Sequence, residues 1–370
     1  MRSSAMLVES GHRGTQTAPQ RIEAADLHDF PAQISRYPEL RYMGSKKRLL
    51  PWINQVMAAL DFDSVLDAFS GTACVSYLMK ATGHRVISSD FLNFTSTVAK
   101  ATIQNSVVNL EESDLKLLLG PSRKKASFIS STFAGVFYTP SDLQFLDRIS
   151  ANISRLANEY ARSIAYAALF RSCLKRQPRG VFTLSGDLSR YDDGRRDLQL
   201  SLEEHFVEQV AVYNDAVFSN GRQNFAYKSD VFEFPRRKVD MVYLDPPYVP
   251  RSDDNCYIKR YHFLEGLSSY WENLPVDEST KVKKIAKRYT PFSYRRTAVE
   301  AFDRMFHKFR ASQIALSYSS NGYPDLDELV KLMGKYKNSV LVFEKPHRYH
   351  FGNHVGVERA EVNEYLIVGR

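Results

Sequence analysis

Residues 63–90, DSVLDAFSGTACVSYLMKATGHRVISSD, contain a short apolar strand, a loop of small residues, a helix and a second strand. The predicted strands cover Ser64–Leu66 and Arg85–Ser88, and the helix between them ends near Gly83. Strand, helix and strand in this order form the start of a βαβ unit, which predicts a parallel sheet with helices on both faces. The stretch therefore indicates the α/β class.

The strand pattern returns late in the chain, after a long region that is mostly helical in pattern. The later strand-like segments are FAYKSDVFEF (225–234), KVDMVYLDPPY (238–248), SQIALSYSSNG (312–322), SVLVFEK (339–345) and EYLIVGR (364–370). We therefore predict an α/β domain in two pieces, residues 37–105 and 222–370, with a largely helical insertion at residues 106–221. Residues 1–36 are predicted to form a mobile N-terminal extension.

The composition is that of a globular protein with a basic surplus. The 370 residues are 44% hydrophobic and 25% charged, with a formal net charge of +8. A positive balance favours an anionic partner, above all nucleic acid. No apolar run has the length of a membrane span, and the N-terminus has no secretory pattern. The three cysteines lie far apart without metal-ligand spacing, which favours reduced thiols in a cytoplasmic protein.

The loop Asp67–Ala73 consists mainly of small residues and joins the first strand to a helix. Such a loop lets a nucleotide-like ligand approach the backbone closely. Asp90 ends the next strand. In nucleotide-binding βαβ units, an acid about 20 residues after the loop accepts hydrogen bonds from ribose hydroxyls. The alternative is an ordinary strand–helix turn with an N-capping residue. The chain has no full G-x-G-x-x-G, which argues against a dinucleotide.

Asp245-Pro246-Pro247-Tyr248 follows the apolar run Met241–Leu244. Proline lacks an N–H and restricts the residue before it, so this tetrapeptide is poor strand material and forms a rigid corner. Such a corner suits reaction at the exocyclic amine of adenine. This amine is a poor nucleophile because its lone pair is delocalised into the ring, so it has to be held by hydrogen-bond acceptors. The Asp245 carboxylate and the Pro246 carbonyl suit its two N–H groups, and Tyr248 suits stacking on a base taken out of a duplex. The alternative is a proline turn at the end of an edge strand.

In this order the motifs resemble those of the Dam-like family of adenine-N6-specific DNA methyltransferases, the alpha group, over most of residues 41–370. Five segments besides DPPY carry the resemblance. They are the aromatic-x-G-x-K motif RYMGSKKRLL (41–50), the cofactor loop DAFSGTA (67–73), the ribose-binding segment SSDFLNF (88–94), the short acidic motif KSDVFEF (228–234) and the later sheet motif IALSYSSNGYP (314–324). The loop ends in Gly71-Thr72-Ala73, where many family members have a second glycine.

The resemblance implies a Rossmann-like S-adenosylmethionine-dependent methyltransferase sheet and an inserted target-recognition domain. It implies that Tyr42 and Lys46 meet the methionyl part and carboxylate of the cofactor. By the same similarity Asp90 meets the ribose, and Asp230 and Phe232 meet the adenine. The implied cofactor-binding residues are Tyr42, Gly44, Ser45, Lys46, Asp67, Phe69, Gly71, Asp90, Asp230, Phe232 and Asp245. The implied catalytic residues are Asp245, Pro246, Pro247 and Tyr248, and no metal is implied.

The implied reaction is methyl transfer to the N6 amine of an adenine flipped out of duplex DNA, with catalysis chiefly by positioning and exclusion of water. Asp245 then need not be a strong base, because a hydrogen-bond acceptor at the right place suffices. The alternatives are a cytosine-N4 DNA methyltransferase, an adenine-N6 RNA methyltransferase and a non-catalytic DNA-binding relative. The leading Asp favours adenine, because cytosine-N4 relatives more often have Ser there, and the long insertion favours DNA over RNA.

Two basic segments are candidates for DNA contact. The first, Lys175–Gly180, resembles a basic hairpin or loop, and its Lys175, Arg176 and Arg179 suit base edges or the orphaned strand. The alternative is a solvated surface loop. The second suits phosphate contact with stacking, and its alternative is an amphipathic helix with a lysine face. It contains Lys281, Lys283, Lys284, Lys287, Arg288, Tyr289, Phe292, Tyr294, Arg295 and Arg296.

Other aromatic and histidine residues have weaker patterns. Some of the aromatic residues after DPPY are candidates for the wall of a base pocket, although most aromatics at such spacing are core; they are Tyr257, Tyr261, His262 and Trp271. A spaced histidine cluster lacks partner acids, so we expect a structural or DNA-facing role rather than a metal site. It comprises His347, His350 and His354.

The expected partner is double-stranded DNA, and a cognate restriction endonuclease that acts separately is a further expected partner. We expect a monomer, because one monomer suffices to flip one base. We also expect no membrane association and a cytoplasmic, nucleoid-associated location.

Overall fold

The computed structural model of the protein describes residues 30–123, 126–184, 192–249, 256–348 and 361–370. None of the helices in these ranges is long and apolar enough to cross a membrane.

The last residues of the predicted N-terminal extension are helical. A 3₁₀ helix covers Ala32–Arg36, and its Ile34 is buried. The Gln33 side chain donates a hydrogen bond to the Tyr77 hydroxyl (2.8 Å). Residues 32–36 therefore contact the core in the described structure, and the mobility of the extension stays a prediction. Residues 1–29 lie outside the described residues.

The strands form one large sheet and one small hairpin. In chain order they are β1 (Ser64–Asp67), β2 (Arg85–Asp90), β3 (Phe225–Lys228), β4 (Met241–Leu244), β5 (Val276–Asp277), β6 (Lys284–Ile285), β7 (Gln313–Ser319), β8 (Val340–Arg348) and β9 (Glu361–Gly369). The large sheet has seven strands in the order β3-β2-β1-β4-β7-β9-β8, and β5 pairs with β6. The first five strands of that order are parallel, whereas β9 is antiparallel to both β7 and β8. The predicted parallel sheet is confirmed, with an antiparallel edge.

The strand order reverses between β1 and β4. From β1 the chain proceeds through β2 to β3 on one side, and it returns to β4 on the other side. In open α/β sheets, ligands bind outside the carboxyl ends of the strands at such a switch point. We therefore expect a ligand-binding site among the residues that follow β1, β2 and β4.

The helices lie on both faces of the sheet and in the region between β2 and β3. They are α1 (Leu50–Ala58), α2 (Cys74–Ala81), α3 (Asn93–Ala99), α4 (Glu112–Leu119), α5 (Phe128–Thr132), α6 (Pro140–Ile153), α7 (Glu159–Arg176), α8 (Arg196–Gln199), α9 (Leu202–Ala216), α10 (Tyr257–Leu267), α11 (Arg295–Lys308) and α12 (Leu326–Gly334). Val65 of β1 packs in one core cluster with α1 and α2, and its neighbour Leu66 packs in another with α11 and α12. Successive strand residues point to opposite faces, so both faces are covered.

The region between β2 and β3 is helical, as its sequence pattern predicts. The helical pattern of residues 149–170 is divided between α6, which ends at Ile153, and α7. Asn158 begins α7 by accepting hydrogen bonds from the N–H groups of Tyr160 (2.8 Å) and Ala161 (3.4 Å). These helices share one hydrophobic cluster with α3 and α10. The helical region is thus packed against the elements that flank the ends of β2 and β4.

Candidate active site

The ends of β1, β2 and β4 surround a pocket that encloses about 570 Å³, part of it open to solvent. The structure brings together in its lining motifs from distant parts of the chain. The predicted site residues that line it are Tyr42, Gly44, Ser45, Lys46, Asp67, Phe69, Gly71, Asp90, Asp245 and Pro247. Residues in its lining that the sequence analysis did not assign to a cofactor or catalytic role are Met43, Ser70, Thr72, Cys74, Val75, Phe91, Tyr243 and Tyr257. Half of these, namely Met43, Ser70, Thr72 and Phe91, adjoin a predicted residue in sequence, which is the signal that would have found them.

The loop after β1 is held by the strands on both of its sides. The Ala68 N–H donates to the Tyr243 carbonyl of β4 (3.1 Å). The Ser70 N–H donates to the Ser89 carbonyl of β2 (3.0 Å). The position of this loop is therefore fixed by the sheet itself.

Two residues of this loop have left-handed backbone conformations. Gly71 has φ +49°, and a methyl group there would lie 3.1 Å from a ring carbon of Tyr42. Ala73 has φ +65° and ψ +26°, a region that costs an L-residue about 1 kcal/mol. The second position is the one where many members of the resembled family have glycine, and the alanine adopts a glycine-like conformation there.

Asp90 binds the backbone of two segments. Its Oδ2 accepts a hydrogen bond from the Gly71 N–H (2.9 Å), and its Oδ1 accepts from the Leu92 N–H (2.9 Å) and the Thr95 hydroxyl (2.8 Å). Burial raises the pKa of Asp90, and these hydrogen bonds oppose the rise. An ionised carboxylate has about four acceptor positions, so most of the capacity of Asp90 is used within the protein.

Asp67 ends β1 inside the same pocket. Its Oδ2 accepts a hydrogen bond from the Ser76 hydroxyl (2.7 Å), and burial raises its pKa to about 7. Its Oδ1 and the Ser70 hydroxyl are buried without a hydrogen-bond partner among the described residues. Because both residues line the pocket, these two atoms suit a ligand with polar groups.

The N-terminal motif is attached to α10. Tyr42 stacks on Tyr257 and Tyr261, with ring centroids 5.4 and 4.8 Å apart. The Met43 N–H donates to the Tyr261 hydroxyl (2.7 Å). Gly44 has φ +75°, and a methyl group there would lie 3.1 Å from the Tyr257 hydroxyl. This motif therefore has a structural role in addition to lining the pocket.

Lys46 and Asp245 form an ion pair that the sequence did not predict. The Lys46 Nζ lies 2.9 Å from the Asp245 Oδ1, and the two side chains are 6% and 19% exposed. Burial raises the pKa of Asp245, and the ammonium of Lys46 opposes the rise. The resemblance implies separate contacts for these side chains, whereas the structure joins them.

A second pocket of about 410 Å³ has part of its lining in common with the first. The shared residues are Phe69, Phe91 and Pro247.

Asp230, from the short acidic motif, lines this second pocket and accepts a hydrogen bond from the Phe232 N–H (2.9 Å). Phe232 does not line this pocket. It stacks on Phe292, which does line it, with ring centroids 5.6 Å apart and an interplanar angle of 6°. Phe292 therefore separates Phe232 from this pocket, whereas the resemblance implies that Phe232 itself meets the adenine of the cofactor.

The remaining residues of the tetrapeptide lie beside Asp245. Pro246 is buried, and Pro247 lines both pockets. Tyr248 is half-buried and meets Tyr318 of β7 edge-on, with centroids 5.5 Å apart. The alternative of an edge strand is wrong, because β4 has β1 and β7 as neighbours.

The aromatic residues after the tetrapeptide divide into two groups. Tyr257 lines the first pocket. Tyr261, His262 and Trp271 are buried, and the His262 Nε2 is 2.9 Å from the Phe182 carbonyl oxygen. For these three residues the core interpretation fits the structure.

The first basic segment begins as a helix and not as a loop. Helix α7 continues through Arg176 and ends at Gln177, because the following proline restricts that residue to extended conformations (φ −81°, ψ 132°). Lys175 pairs with Asp197 (2.7 Å) and Arg176 with Asp142 (3.5 Å). The prediction of a loop is therefore wrong for Lys175 and Arg176. Arg179 lies beyond the helix end.

The second basic segment is a hairpin followed by an irregular stretch. Lys284 lies in β6, and Lys283 has φ +51°, so the amphipathic-helix alternative is wrong. Lys287 and Arg288 are exposed. The Arg288 guanidinium lies 5.3 Å from the centre of the Phe91 ring, and Arg288 lines the second pocket. Helix α11 starts at Arg295.

Cys74, Cys173 and Cys256 are free thiols, as expected. Burial raises the pKa of Cys74 to about 12. The described part of the chain contains no group of three His, Cys, Asp or Glu side chains that suits a metal ion. His347 lies in β8, and the other two members of its cluster, His350 and His354, lie outside the described residues.

Known relatives cover most of the chain. Type II methyltransferase M2.HphI of Haemophilus parahaemolyticus is 31% identical over 85% of this chain and 93% of the relative. Modification methylase StsI of Streptococcus sanguinis is 26% identical over 88% of this chain and 51% of the relative. Modification methylase LlaI of Lactococcus lactis subsp. lactis is 23% identical over 84% of this chain and 51% of the relative. The match thus spans about half the length of the second and third relatives.

The sequence profile of the D12 class N6 adenine-specific DNA methyltransferases matches residues 42–318. This range includes the Tyr42 motif, the loop after β1 and the tetrapeptide after β4, and it is well over half of the chain. The resemblance inferred from the motifs is confirmed. The chain is an enzyme, and it belongs to the D12 class of N6 adenine-specific DNA methyltransferases.

Proposed function

We propose that this protein transfers a methyl group from S-adenosylmethionine to the N6 amine of an adenine flipped out of duplex DNA. The observation that carries the proposal is the tetrapeptide Asp245–Tyr248 at the end of a central strand, beside a pocket built from the loop after β1. The names of the relatives, a type II methyltransferase and two modification methylases, support a role in a restriction-modification system. An orphan methylation system fits the same site.

The residues of the two pockets fit S-adenosylmethionine. The first pocket offers the Lys46 cation for a carboxylate and the unpartnered Asp67 Oδ1 and Ser70 hydroxyl for polar groups. The second pocket offers Asp230 and the Phe292 ring for a purine. We assign the methionyl part and the ribose to the first pocket, with Asp90 beside the ribose, and the adenine to the second.

S-adenosylmethionine supplies an electrophilic methyl group on a sulfonium sulfur. The N6 amine gains this methyl group and loses one proton, while the sulfur keeps the electron pair of the broken bond and becomes a neutral thioether. In our proposal the Asp245 carboxylate and the Pro246 carbonyl accept hydrogen bonds from the amine and direct its lone pair. Tyr248 stacks on the flipped base, and the prolines fix the corner. The N6 proton passes along its hydrogen bond to Asp245 and then to water.

We further propose that the helical region at residues 106–221 recognises the target sequence. Its position against α3 and α10 supports this, because these helices follow the ends of β2 and β4. Lys284, Lys287 and Arg288 are proposed to contact phosphates near the second pocket. Lys175, Arg176 and Arg179 are proposed to contact DNA elsewhere in the region, and the ion pairs of the first two would then be exchanged for phosphate.

Duplex DNA, one copy of this chain and a cytoplasmic, nucleoid-associated location complete the proposal. A separate restriction endonuclease is its expected partner in the restriction-modification setting.

The test is expression of the chain in a bacterium that lacks DNA methylation, followed by mass spectrometry of nucleosides from its DNA. Asp245→Asn is the matched control, because it keeps the size of the side chain while removing the charged acceptor. We expect N6-methyladenine with the parent chain and at least a 100-fold lower amount with the variant, the scale of loss caused by misplacing a reactant. N4-methylcytosine instead would overturn the base assignment, and unmodified DNA would overturn the proposal.

A further inference from the structure

Lys46 and Asp245 are charged, largely buried and in direct contact. Their atoms Nζ and Oδ1 are 2.9 Å apart, and Lys46 is only 6% exposed. An ammonium is strongly hydrated, so burying it is costly unless an anion compensates. The two side chains therefore depend on one another in the described structure.

The backbone on each side of this contact is fixed independently. Beside Lys46, the Met43 N–H is bound by the Tyr261 hydroxyl (2.7 Å), and the Lys46 carbonyl accepts from the Leu49 N–H (2.8 Å). Asp245 directly follows β4, which is hydrogen-bonded to strands on both sides. The ion pair thus joins two rigid parts of the site and is not a contact between two mobile surface chains.

The surroundings of Asp245 disfavour its charge. Burial is the largest influence that raises its pKa, and Glu364 of β9 raises it further, whereas Lys46 lowers it. The other titratable groups that interact electrostatically with Asp245 are acidic or neutral, namely Asp67, Cys74, Tyr243 and Tyr257. Among these described groups, Lys46 is the cation that favours the carboxylate form.

We propose that Lys46 is the counter-ion of Asp245, which binds one carboxylate oxygen and leaves the other to accept the N6–H of the target adenine. This inference rests on the proposed function, and it adds a second role to the cofactor contact implied for Lys46. Lys46 is a positioning residue, because it acts on the reacting amine through Asp245. A protonated Asp245 would present a hydroxyl and lose acceptor capacity, so an ionised carboxylate is needed for the transfer.

The experiment compares Lys46→Met and Lys46→Arg with the parent. The single-turnover rate of methyl transfer is measured from pH 5 to 9 with DNA and S-adenosylmethionine saturating for each variant. Lys47→Met is the matched control, because Lys47 is the next residue and its partly exposed pair with Glu39 lies outside the pocket. Cofactor affinity is measured separately by calorimetry.

For Lys46→Met we expect a rate at least tenfold lower at pH 7 and an acid limb displaced upward by about one pH unit or more, the usual effect of removing an opposite charge. The sign follows from loss of the group that lowers the pKa of Asp245, so protonation then begins at higher pH. Lys46→Arg should restore most of the rate and the position of the limb. Lys47→Met should match the parent.

An unmoved acid limb in Lys46→Met, with weaker cofactor binding alone, would overturn the inference and leave Lys46 as a cofactor ligand. A second measurement needs no activity: the unfolding free energies of the parent, Lys46→Met, Asp245→Asn and the double variant, from about pH 4 to 8. We expect Lys46→Met to lose stability relative to the double variant as the pH rises, since its buried carboxyl has to ionise, and we expect the parent to lose less relative to Asp245→Asn, since Lys46 favours the carboxylate. The same pH dependence in both comparisons would also overturn the inference. Absence of methylation by the parent would instead refute the proposed function, and the stability cycle would still decide the pairing.

Discussion

A largely buried carboxylate stands at the carboxyl end of β2 and another directly follows β4, but the two have different surroundings. Asp90, the last residue of β2, accepts two backbone N–H groups and a hydroxyl. Asp245, after β4, is paired with the ammonium of Lys46. Burial raises the pKa of both. The difference is that backbone donors fix a loop permanently, whereas one side-chain cation leaves an oxygen for a ligand.

At one edge of the sheet, the carboxylate of Asp90 holds the backbone in place, whereas that of Asp245 is available for chemistry. The Asp90 contacts hold the loop that carries Gly71, so the carboxylate shapes the pocket even without a ligand. The Asp245 contact compensates charge without tying the side chain to neighbouring backbone. The acid at the end of β2 therefore shapes the pocket, whereas the acid after β4 can bind a ligand, although the two positions have the same sequence pattern.

The largest expected effect comes from Asp90→Ala, which removes three hydrogen bonds at once. Bonds to a charged group contribute roughly 1.5 to 3 kcal/mol each, so we expect cofactor affinity to fall by about 100-fold or more and stability to fall as well. Asp90→Asn retains an acceptor for one segment but places an amide N–H₂ toward another donor, and it should be intermediate. Calorimetric titration with S-adenosylmethionine and denaturant unfolding check both effects.

Asp63→Ala is the control, because Asp63 forms an exposed pair with Arg222 away from the pocket. Unchanged affinity in Asp90→Ala would show that the loop keeps its shape without this carboxylate.

A smaller effect, on stability, is expected from the third strand-end acid, Asp67. Burial raises its folded pKa to about 7, above the value of an unfolded chain, so ionisation makes the parent less stable as the pH rises toward 7. Asp67→Asn should therefore gain stability relative to the parent by up to roughly 1.4 kcal/mol per pH unit between pH 5 and 7.

Unfolding in denaturant at several pH values measures this difference. Asp240→Asn is the control: hydrogen bonds from Ser64 and the Asp63 N–H lower the pKa of Asp240, so it is ionised in both states across this range. Its difference from the parent should be flat between pH 5 and 7. A flat curve for Asp67→Asn as well would mean that Asp67 is ionised in the folded protein.

The smallest effect is expected at Ala73, in the loop that Asp90 holds. Glycine would relieve its left-handed conformation but would lose a buried methyl group and gain freedom in the unfolded chain. The net change in unfolding free energy should be within about 1 kcal/mol. Gly71→Ala is the contrasting variant, because it combines a positive φ with a 3.1 Å contact to Tyr42, and it should destabilise clearly. Thermal unfolding of both variants measures the contrast, and a large loss in Ala73→Gly would show that its methyl packing dominates.

Much of the fold was predictable from local pattern. The βαβ start, the late strands and the helical region between them appear where the periodicity predicts them, because burial on both faces of a parallel sheet leaves a strong apolar signal. Helix ends were less predictable. The pattern did not show that Asn158 begins α7 with a side-chain cap, or that the helix continues through Arg176 and ends at Gln177, before a proline.

The candidate site was predictable as a set of residues but not as a set of contacts. The motifs indicated Lys46, Asp90 and Asp245, and the structure assembles them in one pocket. No local pattern in the sequence could show that Phe292, which lines the second pocket, stacks on Phe232. Such contacts join residues far apart in the chain, and one sequence holds no record of their distances.

The amino-acid sequence by itself determined the fold class, the family and the residue types available for chemistry, because periodicity, small-residue loops and the rigid DPPY corner are local properties. Only the tertiary structure decided which charges meet. Lys46 reaches Asp245 because the turn at Gly44 and the end of β4 are brought to the same edge of the sheet, where burial makes an unpaired charge costly.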